Sequence, residues 1–343
     1  MFDVLKINLC SPLTLAFALG VFARVVKSEL ALPRDLYTSL SIYLLFALGL
    51  KGGVELSHSS LSEISGPALV TILLGIITPV TSYLVLRRLG RFSIADAAGI
   101  AAHYGSVSAV TFIAAQQFVT SAGFPAEGFM PTLLTLLEIP GIQIALAIGA
   151  FQMARSSDHS SVASKSDGAV ESLPSAVASR RTTRELMHEL LTSRSMMLLV
   201  GGLVIGASVG DAGWKMVQPV FEGLFKGLLT IFLLEMGLAA GSRLGDLRHA
   251  GIFLLGFGIV MPILHGTLGV YLGSLTGLSI GGCTVLGTMA ASASYIAAPP
   301  AVRMTLPEAN PTYYLTAALA ITFPFNLIFG IPIYFAIAQA FCS

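Results

Sequence analysis

Long apolar runs constrain this sequence more than any other feature. The hydrocarbon core of a bilayer is about 30 Å thick, so a membrane helix needs ~20 mostly apolar residues. Only 11% of the residues are charged and 55% are hydrophobic, which excludes an ordinary soluble domain. We therefore predict an all-α integral membrane protein with ten transmembrane helices, roughly at residues 9–26, 36–55, 66–88, 94–119, 129–153, 195–211, 217–241, 248–273, 279–303 and 312–340.

The distribution of Lys and Arg predicts the side of each loop, because cytoplasmic loops carry an excess of both. Fifteen of the 19 Lys and Arg residues follow odd-numbered spans, three lie on the opposite side, and Lys226 lies within a span. We therefore expect both termini to lie outside. Residues 9–26 are interpreted as a retained span, since no small-residue cleavage site follows them.

One polar, Ser-rich segment divides the apolar pattern into five spans and five spans. We expect a first repeat at 1–154, a cytoplasmic linker at 155–193 and a second repeat at 194–343. The linker composition is typical of disorder, and TTRELMHELLTS at 182–193 predicts a short helix within it. The linker is either a flexible tether or a regulatory surface for a cytoplasmic partner.

The two halves resemble each other in their Gly, Pro and Ser residues. Because each half has an odd number of spans, the second half would have inverted topology, which is typical of secondary transporters. Chance similarity between apolar segments is the alternative. The matched features, at offsets of 183 to 188 residues, are GLKGG (49–53) with GLAAG (237–241), Pro79 with Pro262, YGSVSAV (104–110) with AASASYI (290–296), and EIPGIQIAL (138–146) with TFPFNLIFG (322–330).

Ser, Gly and Pro interrupt spans 4 and 9 at equivalent places, which predicts a broken helix in each. Pro299 and Pro300 lack an N–H, so we expect two rungs of the helix to be missing, with the break at Ser292–Ser294 or just before Pro299. Two half-helix N-termini that meet at the midplane can bind an anion without a full positive charge. Kinks that serve packing alone are the alternative. The candidate anion-binding residues are Gly105, Ser106, Val107, Ser108, Ser292, Ala293 and Ser294.

Acidic residues within the spans predict a site for a driving cation. Glu138 and Glu235 lie in spans 5 and 7, where ionisable groups are costly and usually functional. Sodium prefers hard oxygen ligands, and Thr322 and Asn326 lie one helical turn apart beside Pro324. We expect Na⁺ to be bound by some of these four side chains, or by groups that they support.

The remaining charged and sulfur-containing residues predict no further ligand site. The three cysteines, Cys10, Cys283 and Cys342, are isolated in sequence and suggest neither a disulfide framework nor a zinc site. We expect no cofactor and no metal beyond sodium. Glu222 and Lys226 have the i,i+4 spacing of an intrahelical ion pair. A net charge of +1 gives no reason to expect nucleic acid.

Three long segments resemble the sodium-dependent bicarbonate transporters of the SbtA family: FLLEMGLAAG (232–241), ASASYIAAPPAVRMTLPEANPTYYL (291–315) and TFPFNLIFGIPIY (322–334). EIPGIQIAL at 138–146 is similar to the family's acidic-Ile-Pro motif. The resemblance implies Na⁺/bicarbonate symport, a ten-span fold with core and gate parts, and a homotrimer. It also implies an anion held between 105–108 and 292–294, and inhibition by a PII-like regulator at the cytoplasmic face.

The resemblance, together with the paired broken helices, implies a sodium-driven symporter that imports bicarbonate across the plasma (bacterial inner) membrane. The first alternative is sodium-coupled transport of another small monoanion or carboxylate. A non-transporting membrane sensor is the second, and the paired broken helices count against it. A membrane enzyme is disfavoured, since the sequence has no GxGD, HExxH or GxSG motif.

Overall fold

The computed structural model describes residues 10–163 and 194–342, with His188 and Thr192 between them. Within these residues all regular secondary structure is helical, which confirms the all-α fold predicted from the apolar runs. The helices are α1 Pro12–Val25, α2 Arg34–His58, α3 Leu61–Arg88, α4 Ile94–Gly105, α5 Ala109–Ser121, α6 Met130–Ala163, α7 Arg194–Phe221, α8 Phe225–Arg243, α9 Leu247–Ser274, α10 Ile280–Ala290, α11 Ala298–Thr305 and α12 Pro311–Phe341.

Eight helical segments of the described chain are long and apolar enough to cross a membrane, with α4 and α5 counted together. The first and ninth expected spans correspond to shorter helices, α1 with 14 residues and α10 with 11. The multi-pass membrane fold is therefore confirmed, whereas the count of ten full spans is not. Helix α10 is short because the chain leaves the helical conformation after Ala290.

Two expected boundaries differ from the structure. The expected break between 195–211 and 217–241 lies within α7, which consists of two helical parts joined by a kink at Gly210 (φ 55°, ψ −157°). The second part runs to Phe221, so the turn before α8 begins later than expected. Residues 155–163, expected in the linker, are helical because α6 continues to Ala163. The short helix expected at 182–193 lies outside the described residues apart from His188 and Thr192.

Four helices pair across the two halves of the chain: α1 packs along α8, and α2 packs along α7. Glycines bring the backbones of each pair into contact. A Cβ atom on Gly237 would lie 2.1 Å from the Phe17 carbonyl oxygen, and one on Gly53 would lie 2.2 Å from that of Leu203. Small residues at membrane helix interfaces permit this close approach. We call these helices the four-helix group.

The other helices, α3 to α6 and α9 to α12, form a second group that contains both breaks. Helix α6 packs against α3 and α4, and α10 packs against α5, α9 and α12. The two groups meet where α6 contacts α2 and α7, and where α12 contacts α8. The candidate site therefore lies among the helices of the second group and close to the four-helix group.

Candidate functional site

The first break separates α4 from α5. Helix α4 ends at Gly105, and Ser106 and Val107 have no regular structure. The extended Ser108 is the N-cap of α5, and its hydroxyl accepts a 3.3 Å hydrogen bond from the Thr111 N–H. A Ser side chain satisfies one of the donors left unpaired at a helix start, so α5 can begin inside a buried region.

The second break separates α10 from α11 and covers residues 291–297. It includes Ser292–Ser294 and reaches to the start of α11 at Ala298, so both expected positions belong to one break. Pro299 and Pro300 lie in the first turn of α11. N–H groups in a first turn have no intrahelical partner, so the prolines remove no helical hydrogen bond. The expectation that two hydrogen bonds of the helix are missing is therefore wrong.

The two breaks cross each other inside the protein. The Ser108 N–H donates to the Ser292 hydroxyl at 3.0 Å, and this hydroxyl donates to the Met289 carbonyl at 2.8 Å. The Ser294 N–H donates to the His103 carbonyl at 2.8 Å. The structure thus brings the two candidate anion-binding segments together. In this conformation the amides of Ser108 and Ser294 bond to the protein itself.

A small cavity lies beside this crossing, with a volume of about 20 Å³. That volume suits roughly one water molecule. Ser106, next to the lining residue Val107, has a hydroxyl without a hydrogen-bond partner in the described chain, although only 1% of the residue is exposed. The lining is uncharged apart from Glu138 and comprises Leu45, Val107, Ser108, Ala109, Glu138, Leu199, Ser294, Tyr295, Ile296 and Ala297.

Gly105 serves close packing at the crossing. A Cβ atom on Gly105 would lie 2.7 Å from the Gly141 carbonyl oxygen and 2.8 Å from Pro79 Cβ. A Cβ atom on Gly141 would lie only 1.6 Å from the Gly105 carbonyl oxygen. The end of α4 therefore rests directly on the backbone of α6. Gly141 is not among the residues predicted from the sequence, although it follows the Pro140 of the matched EIPG segment.

The four sodium candidates occupy different surroundings. Glu138 is buried and lines the small cavity. The Asn326 side-chain amide donates to the Ala291 carbonyl at 2.8 Å, and its oxygen accepts from the Tyr334 hydroxyl at 3.0 Å. Asn326 therefore supports the chain next to Ser292. Glu235 is half-buried on α8 and takes part in none of the hydrogen bonds at the crossing.

Thr322 compensates for a proline in the neighbouring helix. Pro262 in α9 has no N–H for the carbonyl of Gly258, four residues earlier. The Thr322 hydroxyl donates to that carbonyl at 2.7 Å and contacts the Tyr104 hydroxyl at 2.6 Å. Thr322 ends a wide π-helical turn, Thr316–Thr322, and Asn326 begins a second one, Asn326–Gly330. Such turns are frequent at functional sites.

A larger cavity of about 470 Å³ opens between the four-helix group and the start of α6. Glu222 and Lys226 both line it, but Glu222 pairs with Lys51 at 2.7 Å, so the predicted i,i+4 pair is wrong. The chain leaves the helix between Phe221 and Phe225, which removes the required helical spacing. Hydrogen bonds from Lys51 and then Gln218 lower the pKa of the Glu222 carboxyl below its usual value.

Two carboxylates that were not predicted from the sequence accept hydrogen bonds from backbone N–H groups just before α10 and α12. Glu127 accepts from the Ser279 N–H at 2.6 Å, just before α10. Asp96, in the first turn of α4, accepts from the Asn310 N–H at 2.8 Å, just before α12. Their signal in sequence is only an acidic residue near a helix start. The partner lies more than 150 residues away in each case.

Comparison with known families agrees with this architecture. A family model described as the Na⁺-dependent bicarbonate transporter superfamily matches residues 12–339, from α1 into α12. A search of curated proteins finds no match. The family match, together with the apolar helices, identifies a multi-pass membrane transporter and not an enzyme, with Na⁺ as its coupling ion. The chain belongs to the Na⁺-dependent bicarbonate transporter superfamily.

Proposed function

We propose that this transporter is a symporter that imports bicarbonate with Na⁺ across the plasma membrane. The observation that carries the proposal is the crossing of the two breaks through the Ser108–Ser292 hydrogen bond. Bicarbonate would lie between Gly105–Ser108 and Ser292–Ser294. Irregular backbone at membrane depth is tolerated only where protein or a cavity surrounds it, and this site has both.

The electrostatics of the crossing suit a small anion. Helices α5 and α11 both begin beside the small cavity, and a helix N-terminus carries about half a positive charge. The lining contains no Lys or Arg, so the anion would be held weakly enough to leave. The buried Ser106 hydroxyl offers one more donor.

Sodium would lie close to the anion and reduce its charge. Glu138 lines the same cavity and is the first candidate among the four predicted side chains. Among the described residues no group of three or more His, Cys, Asp or Glu side chains could hold a metal ion. Hydroxyl and backbone carbonyl oxygens would therefore complete the sodium ligands. Thr322 and Asn326 would position such groups, whereas Glu235, on α8, does not line the cavity.

Transport requires the small cavity to widen, because bicarbonate is larger than one water molecule. Its walls include Leu45 of α2 and Leu199 of α7, which belong to the four-helix group, as well as residues of both breaks. We therefore propose that the second group moves against the four-helix group, by an elevator-like or rocking motion. The 470 Å³ cavity between the same groups would be the approach from outside.

The proposal also includes two inverted repeats, a topology with both termini outside, and a trimeric assembly. The reciprocal pairing of α1 with α8 and α2 with α7 supports two repeats of five spans. The Lys and Arg distribution supports termini outside and a cytoplasmic linker. A homotrimer and a PII-like cytoplasmic regulator rest on the family resemblance alone.

Uptake into proteoliposomes tests the symport. We expect radiolabelled bicarbonate to accumulate when Na⁺ is higher outside, and not when K⁺ replaces Na⁺. Replacing both Ser292 and Ser294 by Val should abolish uptake while leaving the oligomer intact on size-exclusion chromatography. Bicarbonate uptake that does not depend on the Na⁺ gradient would refute the symport. Competition by unlabelled small carboxylates, stronger than by bicarbonate, would favour the alternative substrate class.

A further inference from the structure

We propose that Cys283 and Cys342 form a disulfide that fastens the end of α12 to the start of α10. The two cysteines are 59 residues apart in sequence, yet their Sγ atoms lie 2.9 Å apart. A disulfide bond is about 2.05 Å long, so the sulfur atoms need to approach by only about 0.9 Å. The isolated positions of the cysteines in the sequence give no reason to expect a disulfide. The fold, however, brings two of them together.

The surroundings of the pair favour bond formation in a defined order. Cys283 is buried in α10, and Cys342 is the partly exposed cap residue at the end of α12. An external oxidant therefore reaches Cys342 first. Cys283 is then the internal thiol that can reach the Cys342 sulfur.

Thiol–disulfide exchange with a small external disulfide supplies the chemistry. The Cys342 thiolate attacks one sulfur of that disulfide, which forms a mixed disulfide and releases one small thiol. The Cys283 thiolate then attacks the Cys342 sulfur and releases the second small thiol. The protein loses two thiol protons and two electrons, and the external disulfide is reduced to two thiols.

The position of the pair agrees with an oxidising compartment. The Ser279 N–H, just before α10, donates a hydrogen bond to Glu127, in the loop before α6. The linker follows the other end of α6. The pair therefore lies on the face opposite the linker, which the Lys and Arg distribution places outside. Disulfides persist in extracellular and periplasmic surroundings and are rare in the cytosol.

The bond would act on the candidate site through α10. This helix leads directly from Cys283 to the break at Ala291, and α12 carries Asn326, which bonds to the Ala291 carbonyl. A Cys283–Cys342 disulfide would hold these two helices together near the start of α10, at the end of that helix that is remote from the crossing.

Thiol counting in a Cys10→Ser variant tests the proposal, because the exposed Cys10 is then absent. Membranes that contain the full chain are treated with oxidised glutathione, denatured, and labelled with polyethylene-glycol maleimide. We expect no label and no glutathione adduct in the intact mass without reductant, and two labels after reduction. In the Cys10→Ser/Cys283→Ser chain Cys342 is the remaining cysteine, so we expect one label after reduction. Any label on the unreduced Cys10→Ser chain would overturn the proposal.

Thermal unfolding in detergent provides a second measurement that does not depend on labelling. Reductant should lower the Tm of the Cys10→Ser protein and leave that of the Cys10→Ser/Cys283→Ser/Cys342→Ser protein unchanged. An equal response of both proteins to reductant would also contradict the link.

Discussion

The backbone N–H of Ser108 donates to the Ser292 hydroxyl across 3.0 Å, and the two residues are 184 positions apart. Thr81 and His265 are also 184 positions apart, and their side chains form a 2.8 Å hydrogen bond between α3 and α9. Both separations fall within the 183–188 offset of the matched segments. Inverted repeats are related by a two-fold axis in the membrane plane, and equivalent residues next to that axis lie close to each other. The two hydrogen bonds therefore support an inverted relation between the halves.

Removing the Ser292 hydroxyl should weaken the crossing. The Ser292→Ala substitution leaves the buried Ser108 N–H without its acceptor, which costs about 1–3 kcal/mol. When the whole of this cost falls on a transport step, it corresponds to a roughly 5- to 150-fold lower rate of Na⁺-driven bicarbonate uptake. Ser292→Thr keeps the hydroxyl and should retain most of the uptake. Equal uptake by the Ala and wild-type proteins would show that this bond has no role in transport.

Substitution of Gly141 should disturb the end of α4. A Cβ atom there would lie 1.6 Å from the Gly105 carbonyl oxygen, so the backbones of α4 and α6 must separate. We expect Gly141→Ala to destabilise the protein by about 1–3 kcal/mol or more, measured as a lower Tm in detergent. The matched control is Gly201→Ala in α7, where a Cβ atom meets nothing within 4 Å. A Tm that falls equally in both variants would contradict the contact.

The Thr322 hydroxyl should matter because of Pro262. We expect Thr322→Val to cost about 1–3 kcal/mol, since the Gly258 carbonyl then has no donor. In a Pro262→Ala background, a new backbone N–H at position 262 can bond to that carbonyl, so the same substitution should cost less. Thermal unfolding of the four proteins measures this coupling. Costs that simply add would mean that Thr322 does not compensate for the proline.

The Lys51–Glu222 pair should make stability depend on pH in acid. Its partners lower the pKa of Glu222 in the folded protein. The stabilisation is therefore present above the unfolded pKa and disappears as pH falls through the lower, folded value. For an exposed pair we expect about 0.2–1 kcal/mol. The Tm difference between wild type and Lys51→Gln should be largest near neutral pH and shrink in acid. A Glu222→Gln protein should not show this change.

Local patterns in the sequence were sufficient for the class of fold and for the position of both breaks. An apolar run of membrane length dictates a helix wherever it occurs, because lipid offers no partner for an open backbone. Ser108 and Ser292–Ser294 marked the breaks for a similar reason, since their side chains bond to nearby backbone. Gly, Pro and Ser at offsets of 183 to 188 residues also predict which segments correspond in the two halves, and this correspondence stays a prediction.

Tertiary structure alone decided the partners. Gly105 rests on Gly141, Glu222 pairs with Lys51 rather than Lys226, and Cys283 faces Cys342. None of these contacts follows from spacing, because each joins segments that meet only after the helices pack. Periodicity within a helix determines the face on which a side chain lies. The neighbour on that face depends on how distant helices pack to bury their surfaces, and this arrangement brings the two breaks together.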